Sequence, residues 1–245
     1  MENKKWIIVV LVLAIAGVAT YFAVTSLQDK SGGLGIGPKD AVCIVDGAAL
    51  KDAPGKEGSY VASLQLGEKL KCTDEKEIET QNGSKKYYQV ELEGGKSGWV
   101  KESSIITAAK PAAIVASAPV YGRPDLVTIT SKAFSPLDIV AVKQRKGDFV
   151  EVYGKTKDGK KVKGGWVKYD ALTFEDVDVA VAIYVAKANK KMGNEARMAA
   201  LKEIVENPDF SSSRFIAELT ALTSEVPVEP AEPAETPDTT MATAE

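Results

Sequence analysis

The 245-residue chain contains no histidine and only two cysteines. Histidine is the usual general acid or base near neutral pH and the commonest metal ligand. Its absence excludes a Ser-His-Asp triad, a Cys-His dyad and any histidine-containing zinc site within this chain. Two cysteines are also too few for a zinc site built from four thiolates. We therefore expect a protein that is not an enzyme and that holds no metal or cofactor.

The chain also has no excess of positive charge: it contains 31 Lys and Arg against 34 Asp and Glu, which gives a net charge of −3. This balance argues against nucleic acid as a partner of the whole protein. Hydrophobic residues make up 44% of the chain, which is enough for a core. The length indicates one to two domains.

The chain begins with an apolar run over residues 6–24 that carries no charge. Its 19 residues approach the roughly 20 that span a bilayer as a helix. Lys4 and Lys5 precede it, so we expect residues 1–5 to be a cytoplasmic stub and the rest extracytoplasmic. Two alternatives stay open. A signal peptide cleaved after Ala14-Ile15-Ala16 would give a secreted or periplasmic protein, and a buried core helix is the third interpretation.

A Gly-rich linker over 25–39 leads into an internal repeat. Residues 40–107 form the first unit and residues 110–173 the second. At an offset of 70, Leu50-x-x-x-Pro54 matches Val120-x-x-x-Pro124. Later matches need shorter offsets, as expected when hairpin loops differ in length. They pair Tyr87-Tyr88-Gln89-Val90 with Phe149-Val150-Glu151-Val152, and Gly98-Trp99-Val100-Lys101 with Gly165-Trp166-Val167-Lys168.

Both units alternate apolar and polar residues in short runs, which predicts strands buried on one face. Asn82-Gly83 and Asp158-Gly159 are dipeptides that favour hairpin turns. Short strands separated by such turns predict a small sandwich or barrel for each unit.

With these motifs the chain resembles the bacterial SH3 (SH3b) domain family in two tandem copies. The first unit follows the family pattern in Leu50-Lys51-Asp52-Ala53-Pro54, in the run 64–70 and in Gly98-Trp99-Val100. The second unit departs from it: Tyr121 stands where Arg is common, Leu137 replaces a Gly and Phe149 replaces a Trp. The resemblance implies small SH3-like β-barrels, an extracytoplasmic location, and binding of cell-wall peptides or proteins. The peptidase domain that often accompanies such modules needs histidine, and this chain contains none.

Aromatic residues of both units are candidate ligand-binding residues, namely Tyr60, Tyr87, Tyr88, Trp99, Phe149 and Trp166. The alternative for the tryptophans is a structural role in which the indole N–H finds a partner inside the barrel. Tyr87 and Tyr88 are neighbours on a predicted strand, so their side chains point to opposite faces. We expect one in the core and the other exposed.

Cys43 and Cys72 both lie on predicted strands of the first unit. An extracytoplasmic location permits a disulfide between them. The alternative is two small buried hydrophobic residues. Strand adjacency cannot be deduced from the sequence, so both hypotheses stay open.

The second unit is basic: residues 110–173 hold 12 Lys and Arg against 6 Asp and Glu. The excess concentrates at a predicted hairpin tip as a basic patch of Lys155, Lys157, Lys160, Lys161 and Lys163. Such a patch suits an anionic polymer, a lipid surface or the acidic tail. The alternative is an ordinary solvated loop.

The composition changes after the second unit. Residues 174–223 show helical spacing with stops at Gly193 and Asn207-Pro208, which predicts three helices. Their apolar stripes require a partner surface, either the second barrel and each other or a protein partner. Residues 224–245 contain six acidic residues, four prolines and no basic residue, which predicts a disordered tail.

The predicted fold class is mainly β with α: a transmembrane helix, two small SH3-like barrels, a helical segment and a disordered tail. The leading functional hypothesis is a non-catalytic envelope protein whose tandem modules bind cell-wall peptide or glycan. The alternative is an interaction subunit of an envelope complex that docks through the helices. An enzyme based on carboxylates is the third class, and no recognisable site supports it.

Overall fold

The computed structural model describes residues 34–37, 39–81 and 83–224 of the chain. It is mainly β, with two curled seven-stranded sheets followed by three helices. The predicted stub, the predicted transmembrane segment and nearly all of the predicted tail lie outside the described residues.

The first sheet uses residues 40–107 and has the strand order β3-β2-β6-β5-β4-β1-β7. All strand pairs are antiparallel, and a 3₁₀ turn at Glu102–Ser104 precedes the last strand. The strands are β1 (Asp40–Cys43), β2 (Ala48–Lys51), β3 (Tyr60–Leu64), β4 (Lys69–Thr80), β5 (Gly83–Leu92), β6 (Ser97–Lys101) and β7 (Ile105–Thr107).

The second sheet repeats this topology strand for strand, in the order β10-β9-β13-β12-β11-β8-β14. Only Ala108 and Ala109 separate the two sheets along the chain. The strands are β8 (Lys110–Ile114), β9 (Ala118–Tyr121), β10 (Ile129–Phe134), β11 (Ile139–Lys146), β12 (Phe149–Lys155), β13 (Lys161–Lys168) and β14 (Leu172–Thr173).

Each sheet buries the apolar half of its alternating strands on its concave side. Leu50, Val90 and Val100 are buried in the first core. Their repeat partners Val120, Val152 and Val167 are buried in the second. The alternation in sequence therefore becomes a buried face and an outer face, because successive side chains of a strand point to opposite sides.

The structure corrects the predicted fold class in two respects. In each sheet the strand order ends at two unpaired edges, β3 and β7 in the first and β10 and β14 in the second, so the units are curled sheets rather than closed barrels. The expected transmembrane helix also receives no support, because no helix in the described part of the chain is long and apolar enough to cross a bilayer. What remains is a mainly β protein with two curled sheets and three helices.

Three helices follow the second sheet: α1 (Asp176–Ala188), α2 (Asn194–Glu206) and α3 (Ile216–Ser224). Their apolar stripes meet in one core, represented by Val181, Leu201 and Leu219. Ala113 and Ile139 of the second sheet belong to the same core. The partner surface that the amphipathic pattern requires is therefore supplied by the helices themselves and the second sheet.

Helix α1 also contacts the first sheet, along the turn that joins β3 to β4. Lys69 Nζ lies 2.6 Å from Asp176 Oδ1, and Lys187 Nζ donates to Gln65 Oε1 over 2.7 Å. Lys190, just after the helix, adds an ion pair with Asp46 in the loop between β1 and β2. The helix therefore bridges the two sheets: it shares an apolar core with the second sheet and with Leu66 of this turn, and it makes polar contacts to the first sheet.

The same turn contains a glycine at a position where a side chain would be strained and crowded. Gly67 has φ +80°, and a Cβ there would lie 3.0 Å from Ile139 Cγ2 and 3.2 Å from Ile183 Cδ1. Its counterpart in the second unit is Leu137, which keeps a positive φ of 69°. That conformation costs a non-glycine residue about 1–2 kcal/mol. The Leu137 side chain packs against the helical core, and this burial offsets the cost.

A buried carboxylate fixes the start of the helical segment. Asp178 is only 3% exposed. Its oxygens accept hydrogen bonds from Thr173 Oγ1 at 2.7 Å, Ser213 Oγ at 2.8 Å and Arg214 N at 3.0 Å. Arg214 Nε donates a further bond over 3.1 Å. One side chain thus joins the last strand, the first helix and the approach to the third helix.

We expect Asp178→Ala to lower the free energy of unfolding by about 3 kcal/mol, because it leaves several buried donors without an acceptor. Denaturant titration followed by circular dichroism measures the change. Asp176→Ala is the matched control on the same helix, where the carboxylate is exposed and its loss should cost less than about 1 kcal/mol. Equal effects of the two substitutions would contradict the structural role of Asp178.

The same carboxylate makes stability depend on pH. Burial raises the pKa of Asp178, but the hydrogen bonds from Thr173, Ser213 and Arg214 outweigh burial and hold the pKa below its usual value. Its contribution is therefore complete above about pH 4 and is lost as the pH falls through the lowered pKa. Unfolding measured from pH 7 to pH 3 should show a larger loss in the native chain than in Asp178→Asn. Parallel curves would refute this assignment.

Candidate functional site

Three aromatic side chains lie together on the outer face of the second sheet, opposite its core; Tyr121 is only 7% exposed, whereas Phe149 and Trp166 are half-buried. Trp166 of β13 stands directly across from Tyr121 of β9 on one side and Glu151 of β12 on the other. The rings of Tyr121 and Phe149 meet edge to face, with centroids 5.3 Å apart and planes at 83°. This geometry is favourable for aromatic pairs. We call Tyr121, Phe149 and Trp166 the aromatic face.

Polar groups border the aromatic face in a fixed arrangement. Glu151 accepts hydrogen bonds from Gln144 Nε2 at 2.7 Å and from the Tyr153 hydroxyl at 2.8 Å. Burial and the bond to Glu151 together raise the pKa of Tyr153 to about 12, so its hydroxyl stays a donor. Beside Trp166 there is therefore an ordered carboxylate and amide, which suit hydroxyl or amide groups of a ligand.

A shallow pocket of about 260 Å³ adjoins the aromatic face. Its walls include Pro119 and Tyr121 from β9, and Lys168 and Asp170 from the end of β13 and the turn after it. Lys168 stands directly opposite Phe149, so the pocket and the aromatic face are continuous. A ligand lying across both would contact the aromatic face at one end and the charged side chains of Lys168 and Asp170 at the other.

The first sheet has a row of cross-strand neighbours at the equivalent position, but its side chains differ from those of the aromatic face. Trp99 stands across from Lys51 and Gln89, and Lys51 stands across from Tyr60 on the edge strand. Lys51 Nζ donates to the carbonyl of Gly55 over 3.2 Å. The Tyr60 ring is exposed, and its hydroxyl lies 3.1 Å from Ser63 Oγ. A cation therefore occupies the place that Tyr121 takes in the second sheet.

The two adjacent tyrosines of β5 point to opposite faces, as predicted. Tyr88 packs against the first core, with Lys86 Nζ 5.0 Å from its ring centroid. Tyr87 lies on the other face and is buried, whereas Tyr88 is half-buried. The expectation that one of them is exposed therefore fails, and neither offers a free ring to a ligand.

The predicted basic patch lies on the β12–β13 hairpin. All five of its lysines are exposed, and Lys155 pairs with Lys161 across the hairpin. Asp158 neutralises part of the patch through an ion pair with Lys160 at 2.7 Å. Its hydrogen bonds with Lys160 and then Thr156 lower the pKa of Asp158 to about 2. The patch does not border the pocket, which contains Lys168 instead.

Cys43 and Cys72 are both free, and register explains why. Cys43 N donates to Glu68 O, whereas Cys72 N donates to Lys39 O. The two residues thus lie four positions apart along the β1–β4 ladder, roughly 13 Å at strand spacing. Disulfides require Cα atoms within about 7 Å. The structure thus places Cys43 in the core and leaves Cys72 half-buried, with no disulfide between them.

The sequence alone missed Tyr121, Glu151 and Gln144 as members of this site. Tyr121 was noted only as a departure from the family pattern. It sits where the first unit has Lys51, and that exchange within a repeat was the available clue. Glu151 and Gln144 join the site only through strand register, which the sequence does not specify.

No family model and no curated protein matches the chain. Among solved structures, NlpC2 from Trichomonas vaginalis is similar over 68% of this chain and 56% of that chain, with 15% identity and a TM-score of 0.23. NlpC1 from the same organism is similar over 61% and 52%, with 14% identity and a TM-score of 0.24. The chain thus spans about half the length of these structures. The two curled sheets are compatible with the SH3b resemblance of the sequence.

We expect mass spectrometry under non-reducing conditions to find two free thiols. Burial raises the pKa of Cys43 to about 11 and, to a smaller extent, that of Cys72. When the native protein is treated with a thiol reagent at pH 8, the reagent should therefore modify half-buried Cys72 slowly and Cys43 only after unfolding. A mass two units lower, with no modification after denaturation, would show a disulfide and contradict this geometry.

Proposed function

We propose that the protein is a non-catalytic module of the bacterial cell envelope that binds cell-wall peptide or glycan on the aromatic face of its second sheet. The observation that carries the proposal is the contiguity of Tyr121, Phe149 and Trp166 with the pocket at Lys168 and Asp170. Rings held on a rigid sheet provide flat apolar contacts at low entropic cost.

The bordering polar groups match this ligand class. Sugar rings and short peptides combine apolar faces with hydroxyl, amide and charged groups. The carboxylate of Glu151 and the amide of Gln144 lie beside Trp166 to accept or donate hydrogen bonds. Lys168 and Asp170 supply one charge of each sign, which suits a peptide carrying both. The SH3b resemblance of the sequence points to the same class of ligand.

The alternative, docking through the helices, has less exposed surface to support it. The apolar stripes of α1, α2 and α3 are buried against one another and the second sheet. Exposed apolar side chains of the helical segment are Tyr184, Met192 and Leu222, and they do not form a continuous stripe in sequence. We therefore place ligand binding on the sheet and assign the helices to assembly of the fold.

Retention of the full chain on purified peptidoglycan tests the proposal. We expect Trp166→Ala to reduce retention about tenfold or more, as for an aromatic residue at the centre of an interface. Tyr121→Lys should also reduce it, and this change introduces the residue that the first sheet already accommodates at Lys51. Circular dichroism checks the fold of each variant.

Trp99→Ala is the matched control, because Trp99 occupies the equivalent position in the first sheet. Its retention should stay close to that of the native chain. Retention unchanged by Trp166→Ala, or reduced equally by Trp99→Ala, would refute the assignment of the site to the second sheet.

A further inference from the structure

An exposed apolar surface lies on the connection between β9 and β10, apart from the aromatic face. Val127 is 82% exposed, Ile129 60% and Leu126 57%. We call residues 122–129 the apolar knob. Three large exposed apolar side chains within four residues make this turn a candidate interaction surface.

Hydrogen bonds hold the apolar knob in one shape. Gly122 N donates to Thr128 O over 2.8 Å, and Arg123 N donates to Thr128 Oγ1 over 3.0 Å. The Thr128 hydroxyl lies 2.8 Å from Asp125 O. Asp125 Oδ1 in turn accepts from Val127 N at 3.2 Å. The apolar side chains are therefore presented to solvent by an ordered turn, which lowers the entropic cost of binding.

The first sheet shows that the fold does not require this surface. Its equivalent connection between β2 and β3, residues 52–59, reads Asp-Ala-Pro-Gly-Lys-Glu-Gly-Ser and contains no large apolar residue. The flanking strands pair in the same way, with Lys51 opposite Tyr60 in one sheet and Tyr121 opposite Ile129 in the other. Leu126 and Val127 are thus additions of the second unit.

Four basic residues lie in the apolar knob or on the strands beside it. Arg123 belongs to it, and Lys132 lies on the next strand with its Nζ 2.7 Å from Lys161 O. Strand β13 runs antiparallel to β9 with Trp166 opposite Tyr121, so Lys161 and Lys163 lead toward the knob. Within the described ranges, none of these four cations forms an ion pair. Their charge is available to an anionic partner.

We propose that the apolar knob docks onto an anionic lipid surface, inserting Leu126, Val127 and Ile129 at the interface. Side chains this exposed protrude, and a lipid surface accepts protruding apolar groups without a preformed cavity. The surrounding cations meet anionic headgroups, and each such residue strengthens binding about fivefold. A protein partner would need a cavity of matching shape, and the experiment below distinguishes it.

The test places an environment-sensitive fluorophore on Val127→Cys in the full chain carrying Cys72→Ser, since Cys43 is fully buried. Vesicles of one part phosphatidylglycerol to two parts phosphatidylcholine should increase the emission and shift it to the blue. Vesicles of phosphatidylcholine alone should have little effect. Lys161→Gln and Lys163→Gln should each raise the vesicle concentration at half-response about fivefold.

The matched control carries the fluorophore on Glu57→Cys, the repeat partner of Val127 in the first sheet. It should not respond, and because each fluorophore reports only its own surroundings, other parts of the chain do not confuse the result. No response at 127, equal responses at 57 and 127, or equal responses to both vesicle types would overturn the proposal. A response that needs a soluble envelope protein instead of lipid would assign the knob to a protein partner.

This inference does not depend on the proposed ligand site. Purified peptidoglycan contains no bilayer, so Leu126→Ser combined with Val127→Ser should abolish the response to vesicles and leave retention on peptidoglycan unchanged. Loss of both activities together would show that the knob belongs to the ligand site and would overturn the lipid assignment.

Discussion

The arrangement of the whole molecule depends on the buried carboxylate of Asp178. It accepts hydrogen bonds from Thr173 at the end of the second sheet and from Ser213 and Arg214 before α3. A buried charge is tolerated only when it is fully bonded, so the two segments that supply donors cannot separate from α1 without a large penalty. Asp178 lies in the first turn of helix α1, so these hydrogen bonds fix the direction in which the helix leaves the second sheet.

From this start α1 lies across both sheets and determines how they sit. Its apolar side joins the core that includes Ile139 of the second sheet, and its polar side reaches Asp46 and Gln65 of the first. A small apolar contact of Val42, Ala109 and Ala141 also joins the sheets directly. The two copies are therefore joined by both polar and apolar contacts.

Much of this fold follows from local patterns in the sequence. Alternation identified the strands, and Gly193 with Asn207-Pro208 delimited α2 at Asn194–Glu206 as predicted. Closure of a sheet into a barrel was not predictable, because it depends on whether two edge strands meet after the sheet has curled. The role of Asp178 was equally hidden, since its partner Ser213 is 35 positions away and nothing near Asp178 in sequence marks it as buried.

Comparison of the two units distinguishes positions that the core requires from outer positions whose residues differ between the units. The buried positions exchange one apolar residue for another, as Leu50 and Val120 do, because either fills the core. The outer positions differ in chemical character. Lys51 of the first unit corresponds to Tyr121 of the second, and the polar connection 52–59 corresponds to one that contains Leu126 and Val127. Tyr121 is buried and packs edge to face against Phe149, whereas Leu126 and Val127 are exposed, so packing within the second sheet does not explain these two. Contacts outside the chain are the explanation we propose for them.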